Sequence, residues 1–563
     1  MKRPVSTPSR PEALTPESVG AAYADVTAAL PGPDGSPEAW EAAYWRWNDL
    51  KLWISGEISR RYYREAQDTR DEVAAAAFRY LREHIMPLQE EEDAALRRAF
   101  LASPCRPALE AVMGAQQFAR LELEASAFAP VNIALATREG EIVSQVERAY
   151  GTAEVMVGGK PTTLSRANAL LNDPDEAVRR EAWDGLATFQ ATNGDRFQAW
   201  YDELTDLRGQ MGRNLGEPTF TRLGYRKMGR TDYGPEQVAV FRASIRQHVR
   251  PLLERVRAAQ AGWLGAPTVK PWNMTCFPGL SLGTDVAPVD QQLQRASQLF
   301  HRLHPKLAAH FDHMVANDLI DLEARPGKRP GPFAIAFEDE AKILIFCNSS
   351  GAETDVTTLT HEMGHAFQAW ESLWIRPLET RLATMDAAEL TSMGMEYLAL
   401  KEITAFFTPE QARRFSRLKL INALQRMSYV AVVDEFQHWV YENPGHSHQE
   451  RGDAWVRAWD TYVPAIDFAG EEAAKRLRWT RQSHIFSSPF YYIDYALAEV
   501  GALQLWSLSR HDHDRAMQSY LELCRIGGTH SLVSIFQSAG LRSPFEPDVL
   551  APIVAELAEA LEL

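Results

Sequence analysis

Thr360-His361-Glu362-Met363-Gly364-His365 is the stretch on which the reading of this chain turns. It lies in a helical pattern. On an α-helix, positions i and i+4 sit one turn apart on the same face, so both imidazoles can reach one metal ion. Glu362 projects beside them, where a metal-bound water would sit. Two ligands and a base at this spacing form the zinc-peptidase pattern, which points to metal-assisted hydrolysis. A chain with 15 histidines can contain HExxH by coincidence, so the surroundings decide. On a helical wheel Leu359, Met363, Ala366 and Trp370 form one narrow apolar stripe. His361 and His365 fall on its far side, with Glu362 between. The stripe can anchor the helix in a core while the histidine pair faces elsewhere; a packing role would set the histidines near the stripe.

A zinc site takes a third protein ligand and keeps a fourth position for water or substrate. A Gly and then a His at regular intervals after His365 would complete the metzincin pattern. Gln368 and Glu371 stand at those places, so that class is excluded. A downstream carboxylate is then expected, with Glu371, Glu379, Asp386, Glu389 and Glu396 as candidates. Glu371 is too close along the same helix to swing onto the metal. Glu379 sits in a Pro-containing connection at 375–379. Glu389 and Glu396 are two turns apart in DAAELTSMGMEYLAL (386–400) and share a face with Met393 and Leu400. Carboxylates on a mostly apolar helix are costly to bury unless they are paired or bind a cation. We take Glu389 as the third ligand and Glu396 as the residue that orients a ligating histidine. The competing reading of Glu389 is a capping box with Asp386, since D-x-x-E also starts helices.

The rest of the chain bounds the answer. Its 563 residues suggest more than one domain, and 45% apolar with 24% charged content is ordinary for a globular protein. A net charge of −16 argues against nucleic acid and anionic membranes as partners. No apolar leader segment and no membrane span are visible. Cys105, Cys276, Cys347 and Cys524 are scattered without a CxxC pair, and read as reduced, mostly buried thiols. A cytoplasmic location fits these features.

Along the chain, residues 1–20 are Pro- and Ser-rich and expected to be loose. Helical patterns cover 38–102, 108–138, 165–213, 234–262 and 290–317, and nearly everything after Glu389. Trp40, Tyr44 and Trp47 recur at helical spacing as core packing. Asn172-Asp173-Pro174-Asp175 marks a turn and helix start. Residues 265–288 form a long Pro- and Gly-rich loop. His301, His304, His310 and His313 are read as solvated or core residues, because no carboxylates stand at matching positions. FAIAF (333–337) and KILIFC (342–347), joined by Glu338-Asp339-Glu340-Ala341, read as a hairpin. Asp355 can cap the helix that follows. A strand ending beside the metal helix offers an edge to an extended peptide, and Lys342, Ile343, Leu344, Ile345 and Phe346 are assigned to substrate.

A second constellation lies at 481–499, RQSHIFSSPFYYIDYALAE. His484 precedes Pro489, and Tyr491, Tyr492 and Tyr495 follow. If a helix starts near Tyr492, then Tyr492 and Tyr495 share a face. Phenol O–H and imidazole N–H groups suit the oxyanion of a tetrahedral intermediate. The competing reading is structural packing and hydrogen bonding.

With these residues in hand, the chain resembles the thimet oligopeptidase and oligoendopeptidase F superfamily. The resemblance rests on His361-Glu362-Met363-Gly364-His365, on Glu389 in AELTSMGMEYL, and on HIFSSPFYYIDYALAE. FCNSSGAETDVTTLTHEMGHA and HIFSSPFYYIDYALAEVGALQLW are most similar to the Pz-peptidase-like branch. The likeness is strongest over about 205–545. It implies a mainly α fold: a multi-helical zincin with a small β-sheet beside the HExxH helix and a deep substrate channel. It implies short peptides as substrates, and the Pz-peptidase likeness suggests Pro- and Gly-containing ones. By motif position Glu389 takes the third-ligand role, while His484, Tyr492 and Tyr495 take substrate and transition-state contacts. Many relatives carry a further His where this chain has Gln368, and the spacing from His484 to Tyr495 differs slightly from distant relatives.

The expectation is therefore a zinc oligoendopeptidase, with an N-terminal helical domain at 21–204 and a catalytic domain at 205–563. His361, His365 and Glu389 hold one Zn²⁺, Glu362 is the general base, and His484, Tyr492 and Tyr495 stabilise the oxyanion. A dipeptidyl carboxypeptidase or metallocarboxypeptidase on a related fold is the enzymatic alternative. A peptide-binding scaffold with a vestigial zinc site is the non-enzymatic one.

Overall fold

Local sequence signals start most of the helices. The computed structural model describes residues 14–283 and 285–563. Residues 1–13, most of the segment expected to be loose, lie outside that set. A helix already begins at Pro16, where the Thr15 hydroxyl accepts the backbone N–H of Ser18. Ser36 caps the helix Pro37–Gln67 in the same way, and Asp175 caps the 39-residue helix Glu176–Asn214. The region expected to be one helix over 290–317 is two, Val289–Leu303 and Pro305–Ala316. The break falls where Pro305 follows His304, because proline lacks an N–H and disfavours helical backbone in its predecessor.

The chain groups into two compact units, each assembled from three stretches. This departs from a division at 204/205, which falls inside the continuous helix Glu176–Asn214.

Among the described residues, the first unit comprises 14–125, 283, 285–407 and 508–540. Its N-terminal helices bury the expected aromatic cluster: the Trp47 ring stacks on Phe100 at 5.3 Å, and Trp40 meets Phe100 edge-on at 5.8 Å. The same helix Pro37–Gln67 is stitched to later sequence. Asn48 receives the Leu378 N–H at 2.8 Å and donates to the Arg376 carbonyl at 3.2 Å, and Lys51 pairs with Glu379.

Five strands occur among the described residues. β1 (Glu154–Val157) and β2 (Lys160–Thr163) form a hairpin in the second unit. β3 (Ile320–Glu323), β4 (Phe333–Phe337) and β5 (Lys342–Ser349) form a sheet in the first, in the order β3-β5-β4. The expected β4–β5 hairpin is present and antiparallel, with Phe333 opposite Phe346 and Phe337 opposite Lys342. β3 runs parallel to β5 on its other side. Tyr62 and Tyr63 of the helix Pro37–Gln67 lie against Phe333, at 5.1 and 6.5 Å between rings.

The second unit comprises residues 126–282, 408–507 and 541–563. Two long helices, Glu176–Asn214 and Pro409–Glu442, share its core, with the rings of Tyr201 and Phe436 stacked at 6.4 Å. All four cysteines are free thiols, three of them buried. No helix among the described residues is long and apolar enough to cross a membrane.

Candidate active site

The HExxH helix spans Glu353–Ser372. Asp355, in its first turn, accepts the backbone N–H groups of Ser350, Gly351 and Ala352 at 2.7, 2.7 and 3.1 Å. That knot turns the chain from β5 straight into the helix. Leu359, Met363 and Ala366 are buried, as the apolar stripe requires. Trp370 is half-buried and stacks on His310.

Glu389 lies on the helix Met385–Leu398. Thr384 precedes this helix, so Glu389 sits beyond the capping-box position, and the box reading of that residue falls. The two helices touch at Gly364. A Cβ there would stand 2.5 Å from the Ser392 Cα and 2.7 Å from the Thr391 carbonyl oxygen, a separation no side chain tolerates. This approach brings Glu389 alongside His361.

The donors converge. His361 Nε2 lies 3.5 Å from Glu389 Oε2, and ligand atoms of His361, His365 and Glu389 all fall within 4.8 Å of one another. Among the described residues they are the one group with this property. The two imidazoles are 4.9 Å apart and nearly perpendicular, at 86°. His361 Nδ1 donates to Glu396 Oε1 at 2.7 Å, which fixes the tautomer and leaves the Nε2 lone pair toward Glu389. Glu389 itself accepts the Ser392 hydroxyl at 3.1 Å. Burial, reinforced by the neighbouring His361, pushes His365 down to about 3, so it stays neutral and keeps its lone pair. His365 and, in the tautomer that Glu396 selects, His361 each present a ring nitrogen beside the Glu389 carboxylate, a donor set that fits a zinc-type ion.

Glu362 lies beside them, almost fully buried. Its Oε2 has no hydrogen-bond partner. Burial, opposed by His361 and assisted by Glu389, pushes it up to about 7, while the Ala334 backbone N–H works in the opposite direction. A carboxylate poised near neutrality with one free oxygen is suited to taking and returning a proton.

The other candidate carboxylates are engaged elsewhere. Glu371 pairs with Lys306 at 2.5 Å and His310 at 2.7 Å. Glu379 takes Lys51 and, at 3.0 Å, Gln117. Asp386 accepts the Ala387 N–H at 2.8 Å. Gln368 donates weakly to Ser372 at 3.4 Å. The histidines of 301–313 do have carboxylates at hand, contrary to expectation: Asp312 lies 2.8 Å from His301, and Glu371 holds His310. These are satisfied pairs.

One assignment needs correction. Lys342, Ile343, Leu344, Ile345 and Phe346 belong to β5, the middle strand of its sheet. β4 pairs with all five of these residues and β3 with Ile345 and Phe346, so an incoming peptide cannot join along β5 as an outer strand. The outer strand on this side is β4, and its Ala334 N–H faces Glu362.

His484, Tyr492 and Tyr495 lie close together within the second unit. The His484 ring lies 5.1 Å from Tyr492 and 6.2 Å from Tyr495, and those two tyrosines are 5.6 Å apart. Sequence reasoning left two members without a role. Tyr491 donates its hydroxyl to that of Tyr495 at 3.0 Å. Gln482 donates to His484 Nδ1 at 2.6 Å, which leaves the proton on Nε2 and makes that nitrogen a donor. Burial holds His484 below its ordinary value, so it is neutral. Buried arginines frame the loop: Arg208 donates to the Ile485 carbonyl at 3.1 Å, and Arg230 to the Phe490 carbonyl at 2.5 Å and to Asp494 at 2.6 Å. Phe490 adopts a left-handed backbone, φ 66°, between them. No local motif announces these arginines, since their partners are far off in sequence.

Comparison with known proteins gives matches over nearly the whole chain. Residues 169–554, more than half of the chain, match the family model described as peptidase family M3. Residues 17–128 match the peptidase M3 N-terminal domain. A crystal structure provisionally named oligoendopeptidase F is 31% identical with a TM-score of 0.90, covering 98% of each chain. PZ peptidase A, solved with an inhibitor, is 30% identical with a TM-score of 0.90 over 98% of each chain. A Bacillus anthracis structure, also provisionally an oligoendopeptidase F, is 28% identical with a TM-score of 0.86, covering 98% of this chain and 97% of that one. An oligoendopeptidase F homolog from Borreliella burgdorferi is 20% identical over 216 residues. That match spans 37% of this chain and only 36% of the relative.

Proposed function

Because this chain belongs to peptidase family M3, we propose that it is a zinc-dependent oligoendopeptidase acting on internal bonds of short peptides. The observation that carries the proposal is the convergence of His361, His365 and Glu389, with Glu362 beside them. We assign one zinc ion to these three ligands. Bound there, it would supply a Lewis acid and lower the pKa of a water molecule. Glu396 keeps His361 in the tautomer that can ligate. Glu362 takes the proton of the attacking water and passes it to the departing amine. The peptide is assigned to the outer edge of β4, where backbone pairing holds an extended chain without regard to its side chains. His484 through Nε2–H, and Tyr492 and Tyr495 through their hydroxyls, are assigned the donation of hydrogen bonds to substrate oxygen. Pro- and Gly-containing peptides, the class the sequence resemblance suggests, are the first substrates to try.

The test is Glu362→Gln. The variant is expected to hold one zinc per chain by elemental analysis and to lose at least about 100-fold in kcat on a quenched fluorescent peptide. Near-normal turnover would remove Glu362 from the mechanism. Chelation should abolish wild-type activity and added zinc should restore it.

A further inference from the structure

The second unit carries a pair of arginines that this mechanism does not use. Arg478 and Arg481 lie on the short 3-10 turn Arg478–Arg481, where residues three apart fall one above the other. Both are half-buried, whereas the fully buried arginines of the unit each face an acceptor. Arg208 has Glu139, Arg230 has Asp494, and Arg451 has Asp202. Arg179 donates to Asn273 and the Asp173 carbonyl, and Arg257 to Gln260 and the Met274 carbonyl.

Arg478 has no such acceptor among the described residues. Its guanidinium packs 5.5 Å from the Trp183 ring and 5.1 Å from Trp459, while its Nε and Nη1 are shut off from solvent without a hydrogen-bond partner. Arg481 donates to the neutral Asn168 side chain. The charged and titrating groups around the pair are each other and the phenols of Tyr429 and Tyr150. Burial and then the charge of Arg481 hold Arg478 down to about 9. Stacking between tryptophans accounts for one guanidinium. It does not account for a second like charge beside it, in a chain whose net charge is −16.

The pair is continuous with the tyrosine cluster. The Tyr429 hydroxyl donates to Gln482 Oε1 at 3.3 Å, Gln482 donates on to His484, and the Tyr429 ring lies 5.9 Å from Tyr492.

We propose that Arg478 and Arg481 form a carboxylate-binding subsite, so that the enzyme selects peptides presenting a carboxylate: the C-terminal one or an Asp or Glu side chain. Charge-assisted hydrogen bonds from guanidinium to carboxylate are among the strong ones, and Nη2 is the Arg478 nitrogen that is not among its sealed donors. This rests on the peptidase reading and names its substrate class.

The test uses an Ala/Gly/Pro octapeptide carrying an uncharged BODIPY label, in three forms: free acid, C-terminal amide, and amide with one internal Glu. Affinity is measured by anisotropy on zinc-loaded Glu362→Gln protein, which binds without cutting. At least one carboxylate form should bind about 10- to 100-fold more tightly than the plain amide. Which form does so identifies the carboxylate. Adding Arg478→Gln or Arg481→Gln should bring that ratio close to one, and Arg478→Lys should keep part of it, with unfolding temperature checking each fold. Equal affinity for all three peptides, or a ratio untouched by both Gln substitutions, overturns the proposal. Turnover of the same peptides by the unsubstituted chain is read separately: its absence sinks the peptidase reading, whereas turnover without carboxylate preference sinks only the subsite.

Discussion

Within the proposed metal site, each side chain is placed by specific contacts. Glu396 does not touch the ligand position; it accepts from His361 Nδ1 and so decides which nitrogen is free. Glu396→Gln keeps the size of the side chain but removes the charge that holds the tautomer. Such orienting partners are worth about 10- to 100-fold in metal affinity. The variant should therefore lose zinc to a chelator at a correspondingly lower concentration, measured by competition titration; an unchanged titration curve would deny Glu396 this role. The sequence made both carboxylates legible because they sit two turns apart on an apolar helix, where charge is costly without a partner. It did not make Gln482 legible. A glutamine two residues before a histidine is unremarkable until the backbone turns its amide onto Nδ1.

At the scale of elements, the site depends on two helices meeting at Gly364. Gly364→Ala inserts a methyl group where the Ser392 Cα is 2.5 Å away, so the helices must separate and Glu389 must move with them. Overpacking of this kind costs about 1–3 kcal/mol. The variant should melt several degrees lower and retain less zinc after dialysis; full zinc content at an unchanged melting temperature would contradict the packing argument. The hairpin β4–β5 could be read in advance from two apolar runs and a short acidic link. Which of its strands lies outermost could not, because that depends on β3, which ends ten residues before the hairpin begins. The β1–β2 hairpin went unread, although Gly158-Gly159, with φ of 60° and 73°, is the expected turn for such a connection. Its strands are short and partly polar, so alternation was too weak to stand out.

At the scale of the whole molecule, stability rests in part on buried ion pairs that join distant segments. Asp434 is completely buried with Arg242 and 3.3 Å from His438. Burial would raise its pKa, but His438 and Arg242 outweigh that and hold it well below the ordinary carboxylate range. A carboxylate lowered on folding contributes stability that is fully present above its unfolded value, near 4, and is lost as pH falls through the folded one. The protein should therefore lose stability steeply below about pH 4. Asp434→Asn, which strands Arg242, should cost about 3 kcal/mol or more at neutral pH and flatten that acid slope. Thermal melts from pH 7 to pH 3 check both, and an Asn variant as stable as the parent at pH 7 would refute the assignment. The domain division was the least legible feature at this scale. Composition changes little near residue 204, whereas the first unit is tied together by contacts such as Asn48 with 376–378, which no local pattern encodes.

The outermost place of β4 in its sheet has a further consequence, for solubility. Phe333-Ala334-Ile335-Ala336-Phe337 is an uncharged, β-prone, aromatic-ended pentapeptide lying at a sheet edge. A strand edge able to pair with a peptide is able to pair with a second copy of itself, which is how ordered aggregates begin. Two features restrain it: the strand is short, and charge brackets it, with Lys328 and Arg329 before and Glu338, Asp339 and Glu340 after. Those acids are anchored, Glu338 on Arg381 and the other two on Arg60. The side chains that tie down the hairpin turn thereby also act as its gatekeepers against self-assembly.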